Sequence, residues 1–144
     1  MVSTSSVRKR AEGLAMSGLL RGLSAAGKVL PEANLEKQGI ELLRDVPYVA
    51  GGGAARTLDV YRPQGRGPFP TVLYIHGGGF RILSKDTHWI MGAMLARAGY
   101  LVFNINYRLA PVNRFPAALE DVCDAYAFLA ARGASFGADL GRLA

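Results

Sequence analysis

Cysteine is nearly absent from this 144-residue chain: Cys123 stands alone, so no internal disulfide can form and a reducing, cytoplasmic setting is expected. No run of about 18 uncharged apolar residues occurs, and no membrane-spanning helix is expected. The first thirty residues lack a continuous apolar core followed by a small-residue cleavage site, so no secretory signal is read there. Histidine is scarce as well. His76 and His88 are the only two, and together with Cys123 they show no metal-ligand spacing, so no metal is expected. Acids are outnumbered, 11 against 17 Lys and Arg, for a net charge of +6. The excess lies mostly at the start, where Arg8, Lys9, Arg10, Arg21 and Lys28 face the single acid Glu12. No basic face interleaved with aromatics follows, which argues against nucleic acid as a partner.

What remains is an apolar, globular composition: half of the residues are hydrophobic, and a chain of this length can bury roughly two thirds of its extended surface. Residues 1–10 read as loose. Met16, Leu19, Leu20, Leu23, Ala26 and Leu30 then recur at helical spacing, weakened by Gly13, Gly18, Gly22 and Gly27. Residues 1–38 are read as a helical cap segment that needs a surface to dock on. A Ser-rich, Arg-bearing, acid-poor amphipathic start also fits an organelle transit peptide or a helix lying on a membrane.

From Gly39 the pattern becomes that of an α/β sheet, over residues 39–144. Ile40 to Val49 and Arg56 to Tyr61 read as two strands around a Gly51-Gly52-Gly53 turn, with Leu58 and Val60 on one face. Residues 70–76 are continuously apolar, as a strand covered on both faces would be. A helix from Thr87 to Ala98 with a stripe of Ile90, Met91, Met94, Leu95 and Ala98 follows, stopped by Gly99. Leu101 to Tyr107 is the next strand. The next helix starts near Pro116, carries Leu119, Val122, Cys123, Tyr126 and Leu129 on its apolar face, and is expected to close at Gly133. An opening antiparallel hairpin followed by parallel strand–helix–strand–helix is the fold class this order implies.

Directly after the 70–75 strand stands His76-Gly77-Gly78-Gly79-Phe80. Three glycines at a strand end allow positive φ and a close approach of bare backbone N–H groups to a negative centre. Two chemistries use that arrangement: an oxyanion hole for acyl transfer, or a phosphate cradle at a helix N-terminus.

A second block decides between them. Tyr107-Arg108-Leu109-Ala110-Pro111 with Phe115-Pro116-Ala117-Ala118-Leu119-Glu120-Asp121 stands about 30 residues on. The two blocks, with Leu58-Asp59-Val60-Tyr61-Arg62-Pro63 before them, resemble the HGGG branch of α/β-hydrolases, the hormone-sensitive-lipase-like carboxylesterases. The resemblance implies the N-terminal half of an α/β-hydrolase sheet acting in carboxylic ester hydrolysis through a Ser-Asp/Glu-His triad, with no organic cofactor and a small acyl ester as partner. Gly78 and Gly79 would donate the oxyanion N–H groups, while His76, Gly77 and Phe80 would support the loop. Val112 and Asn113 replace the family's usual Glu-His pair, at a loop tied to acyl preference. Gly141-Arg142-Leu143-Ala144 would open the nucleophile strand, whose G-[DE]-S-A-G turn would follow. The expected reading is thus a segment truncated before the nucleophile, with the triad outside it.

Within residues 1–144 the competing candidates are poor. Gly133-Ala134-Ser135-Phe136-Gly137 fits G-x-S-x-G, but chance supplies about one such match in nine chains of this composition. An elbow also needs a strand before it, so Ser135 reads as a loop serine. His76 and His88 precede it, against the Ser, acid, His order of the fold. His88 reads as a partly exposed helix-start residue, Cys123 as a small buried hydrophobe, and Asp121 with Asp124 as a solvated face or cap contact. A non-catalytic binding module on the same fold is the alternative function.

Overall fold

The computed structural model describes residues 15–16, 18–26 and 34–144. The loose reading of residues 1–10, and Gly13, Gly27 and Leu30 of the expected N-terminal helix, lie outside the described residues. Five strands and two longer helices follow in the order β1 (Ile40–Pro47), β2 (Thr57–Pro63), β3 (Phe69–Ile75), α1 (Trp89–Arg97), β4 (Leu101–Ile105), α2 (Ala117–Phe136) and β5 (Ala138–Leu143). The strands form one sheet in the spatial order β1-β2-β4-β3-β5. β1 and β2 pair antiparallel, β2 and β4 antiparallel, and β3 pairs parallel with both β4 and β5. This is the hairpin-then-parallel arrangement that the element order implies. Among the described residues no helix is long and apolar enough to cross a membrane.

Alternation along the central strands divides the core in two. Leu58 and Val60 of β2 and Leu101, Phe103 and Ile105 of β4 pack with Ala125 and Leu129 of α2. The alternating neighbours Tyr61, after Val60, and Val102, between Leu101 and Phe103, pack on the other side with Ile40 and with Ala96 of α1. Each Val, Leu, Ile or Phe among them contributes about 1.5–3 kcal/mol on full burial.

Both helices dock only in part on the stripe their large side chains suggest: Leu95, Val122 and Leu129 do pack on the core. α1 buries Gly92, Ala93 and Ala96, while Ile90 and Met94 are more than half exposed. The reason is Tyr61: a Cβ on Gly92 would lie 2.6 Å from its ring, so only a small-residue face lets the helix lie on that bulky side chain. α2 buries Ala117, Asp121, Ala125, Leu129 and Gly133, leaving Leu119 and Tyr126 outward and Cys123 exposed rather than buried. Gly133 does not end this helix. A Cβ there would stand 2.9 Å from Leu129 and 3.2 Å from Ala138, so the glycine serves close packing on β5. The stop is Gly137, left-handed at φ +93. Ser135 is therefore a residue of the last helical turn, not of a loop.

The strand after α2 begins at Ala138, earlier than the expected Gly141, and lies against the first half of β3 through Phe69↔Ala138, Pro70↔Asp139 and Thr71↔Leu143. Beyond that, Leu73 N–H donates to Ala144 O at 2.9 Å, and among the described residues no strand pairs with the outer edge of Tyr74 and Ile75. The expectation that β3 is covered on both faces holds only in part: Ile75 is 45% exposed. Leu73, Ile75, Tyr126, Leu140 and Leu143 line an apolar hollow of ≈ 430 Å³ there.

The described part of the N-terminal segment is helical at 15–16 and 18–26. Among the described residues of its apolar stripe, Met16, Leu19 and Leu23 are at least half exposed, while Leu20 is partly buried. Among the described residues the segment makes a polar contact with the body, Ser24 Oγ donating to Asp86 O at 2.6 Å.

An open strand edge beside an apolar hollow is a template for further pairing. Residues 1–144 are therefore expected to self-associate. Leu140→Lys, placing a charge on the exposed flank of β5, should lower the weight-average mass in sedimentation while leaving Tm within a few degrees. A monodisperse monomer for the unsubstituted chain would contradict this.

Candidate functional site

Parallel pairing sets up the site. Ile75 and Ile105 are partners at the ends of β3 and β4, so His76 and Tyr107 leave the sheet side by side. The Tyr107 hydroxyl donates to the His76 carbonyl at 2.8 Å, and the two rings stack at 4.3 Å with 12° between their planes. His88, at the start of α1, stacks on the far side of His76 at 5.7 Å. His76 is 2% exposed. Its Nδ1 lies 2.8 Å from the Gly77 carbonyl, an acceptor, so Nδ1 carries the proton of the neutral ring. Burial pulls its pKa below 6.5, partly offset by the bond to Gly77. The Tyr107 hydroxyl is pushed up by burial.

The loop after His76 is left-handed through Gly78 (φ +113), Gly79 (φ +60) and Phe80 (φ +61). At Gly78 the glycine is required twice over, since an added Cβ would meet the Ile82 carbonyl at 2.2 Å. The Gly78 carbonyl accepts from Arg81 N–H (3.1 Å) and Ile82 N–H (3.3 Å), closing the loop on itself. Gly79 faces open space. Among the described residues no acceptor takes the N–H of Gly78 or of Gly79. Two unclaimed donors on a pinned loop can meet a negative oxygen without reorganising.

Phe80 links this loop to its neighbour. Its carbonyl accepts from Ala110 N–H at 2.8 Å, and its ring, 62% exposed, lies 6.1 Å from that of Tyr107. The neighbouring loop is held by a carboxylate. Asp121, fully buried, accepts from Arg108 N–H at 2.8 Å and from Arg108 Nε at 2.9 and 3.0 Å. Arg56 Nε pairs with it at 2.9 Å, and Arg56 also pairs with Asp124. The bonds to Asp121 hold the Arg108 guanidinium above its ordinary pKa. Asp121 is thus no solvated-face residue, and the expectation is corrected. Opposite charges in the two halves of one motif, Arg108 and Asp121, were the available signal. Arg56 had none. Val112 and Phe115 stand out from the loop, 82% and 88% exposed.

The other expected positions fall elsewhere. Ser135 Oγ donates to Arg132 O at 2.7 Å within α2. The following Gly137 carbonyl accepts from Phe69 N–H at the start of β3, and His76 follows its end. Six residues of strand separate those points, roughly 20 Å at 3.3 Å per residue.

Two outcomes follow from this geometry. Gly78→Ala should lower Tm clearly more than Gly79→Ala, because the first meets a carbonyl and the second carries only left-handed strain of about 1–2 kcal/mol; equal effects in thermal melts would contradict it. For His76, a folded pKa below 6.5 means that the unfolded chain binds the proton more readily. Its contribution to stability is complete above that value and declines as pH falls through it. Urea unfolding should therefore show a loss between pH 7 and 5 that His76→Phe, which retains a ring on Tyr107, reduces.

Comparison with known proteins places this geometry. A family model described as alpha/beta hydrolase fold matches residues 72–144. Ethyl acetate hydrolase of Pseudomonas putida is 33% identical over 142 residues, covering 83% of this chain and 45% of its own length. Carboxylesterase NlhH of Mycobacterium tuberculosis is 33% identical over 128 residues, covering 87% of this chain and 37% of its own. The solved structure of esterase B from Lactobacillus rhamnosis, inhibited by a tributyrin phosphonate, superposes on 99% of this chain and 45% of its own with a TM-score of 0.84; at 23% identity it speaks for the fold. The chain spans less than half the length of these relatives. It belongs to the α/β-hydrolase fold family and, within it, to the hormone-sensitive-lipase-like carboxylesterases.

Proposed function

We propose that residues 39–144 are the oxyanion-hole half of a serine carboxylic ester hydrolase acting on short- to medium-chain acyl esters. One observation carries the reading: the unclaimed N–H groups of Gly78 and Gly79 stand on a left-handed loop at the C-terminal end of β3. Relatives named as an ethyl acetate hydrolase and a carboxylesterase support it.

In this mechanism a serine Oγ attacks the acyl carbonyl carbon, and the carbonyl oxygen gains the negative charge. Gly78 and Gly79 donate to that oxygen as it forms, where fixed donors lower the barrier more than mobile water would. His76 is a shaping residue, neutral and turned toward Gly77. The serine, its acid and its base belong to sequence beyond residue 144, and residues 1–38 act as the cap segment. The Ser24 contact with Asp86, in the segment between β3 and α1, supports that placement.

The test pairs gene sequence with assay. An in-frame G-x-S-x-G turn is expected within about twenty codons after residue 144. The polypeptide extended through it and its downstream residues should hydrolyse p-nitrophenyl butyrate, and residues 1–144 alone should not exceed buffer. In the extended protein, Gly78→Ala keeps the N–H but drives a Cβ against the Ile82 carbonyl; by turning that donor away from the oxyanion it should lower kcat on the order of 10²–10³-fold. A stop followed by unrelated sequence, with a stable product that binds esters without turnover, would replace this reading with a binding module.

A further inference from the structure

Lys85 lies on the opposite side of the loop from its glycines and has no part in the mechanism above. It is nevertheless among the most buried residues of the chain, at 2% exposure. Its Nζ stands 2.8 Å from Asp59 Oδ1 of β2 and 2.8 Å from Asp45 Oδ1 of β1, with Asp86 at 3.8 Å. Asp59, itself 1% exposed, receives Asp45 N–H on the same oxygen at 2.9 Å. Asp45 sits at φ +54 inside an irregularity of the β1–β2 pairing between Leu43 and Val46. The distorted strand thus places a second carboxylate over the ammonium. Burial opposes the charge on Lys85, yet the bonds to Asp45 and Asp59 outweigh it and hold the ammonium protonated.

The main chain of the same residue is held as firmly. Lys85 N–H donates to Asn106 Oδ1 at 2.8 Å, and Lys85 O accepts from Asn104 Nδ2 at 3.0 Å. Asn104 pairs with Asp59 across β2 and β4. Ammonium, amide and carbonyl of one residue are therefore tied to three strands. Between this point and His76 run eight residues, four of them left-handed: Gly78, Gly79, Phe80 and Leu83. Each non-glycine residue in that region stores about 1–3 kcal/mol and persists only when the surroundings over-determine it. The near end of the loop is fixed by Tyr107 and the middle by Ala110. The far end has Lys85.

We propose that Lys85, clamped between Asp59 and Asp45, is a positioning residue that fixes the far end of the 76–84 loop and so sets the direction of the Gly78 and Gly79 N–H groups. The inference rests on the oxyanion reading of those glycines. A buried ion pair adds little net stability against a well-packed apolar pair but is specific in geometry, which suits a clamp better than a simple core contact.

Hydrogen exchange by mass spectrometry on the dilute 144-residue chain tests the clamp without any ester. The amides of Arg81, Ile82 and Ala110 are bonded to the Gly78 and Phe80 carbonyls, so their exchange reports the loop's shape. Lys85→Met should speed exchange at these amides at least about tenfold and leave that of α2 unchanged. Because Lys85→Met strands a buried carboxylate, the Asp59→Asn/Lys85→Met pair is read as well, with the same local result expected. Unchanged loop exchange, acceleration spread evenly over the chain, or failure of both variants to fold would overturn the proposal. In the extended, ester-hydrolysing protein the double variant should lower kcat at least about tenfold with KM within about twofold. Absence of any ester turnover would sink the functional reading while leaving the exchange result standing, so the two failures are distinguishable.

Discussion

Two parallel strands that end in register must send two loops away from the same edge of the sheet. Here that edge is defined by Ile75 and Ile105, and the loops first meet through the hydrogen bond and stacked rings of Tyr107 on His76. Everything that follows in the site depends on this contact. It satisfies the carbonyl of the last residue before the glycines, which would otherwise be buried without a partner. It also leaves the next residues free to turn left-handed without losing their anchor. The Ala110 bond to Phe80 repeats the link one step outward.

The second loop could not play that part if it were mobile. Its rigidity comes from charge: a carboxylate with no exposure, Asp121, held by Arg108 from the loop and Arg56 from the turn before β2. Three segments far apart in sequence are thereby tied at one point on the helix α2. The opposite face of the sheet carries a comparable knot at Lys85. The site is thus suspended between two charged knots, one on each side of the sheet, with apolar packing in between.

Much of this architecture was legible from residue pattern. The period-two alternation at Leu58 and Val60 reflects a sheet with distinct faces, and the glycine run after an apolar strand reflects a backbone that must bend sharply. The helices were legible in place but not in orientation. Large apolar side chains at Ile90 and Met94 suggest a docking stripe, yet the space above the sheet is already filled by Tyr61, and it is Gly92, Ala93 and Ala96 that are buried there, with Leu95 packed beside them. That is tertiary volume, which no single-helix periodicity contains. Gly133 misled for the same reason: a glycine required by close packing looks in sequence like a glycine required by a stop. The charged knots were the least legible, because Asp45, Asp59 and Lys85 are ordinary surface residues by type. Asp59 and Lys85 meet in the interior, and a strand irregularity sets Asp45, still largely exposed, over the same ammonium.

The strand order has a consequence for how the chain is made. β1, β2, β3 and β4 are adjacent in the sheet and are complete once Ile105 has been synthesised. β5, which shields β3, starts only at Ala138. At about 5–20 residues per second the ribosome needs a few seconds to cross that interval. Throughout it, β3 is the outer strand of a nascent sheet, with its hydrogen-bonding groups unpaired along one side. The α2 helix, which packs on Leu58, Val60 and Phe103 in the finished fold, is synthesised in the same interval. Local helix formation is far faster than elongation, so a nascent chain would meet its first hazard of mispairing at β3 rather than at either terminus.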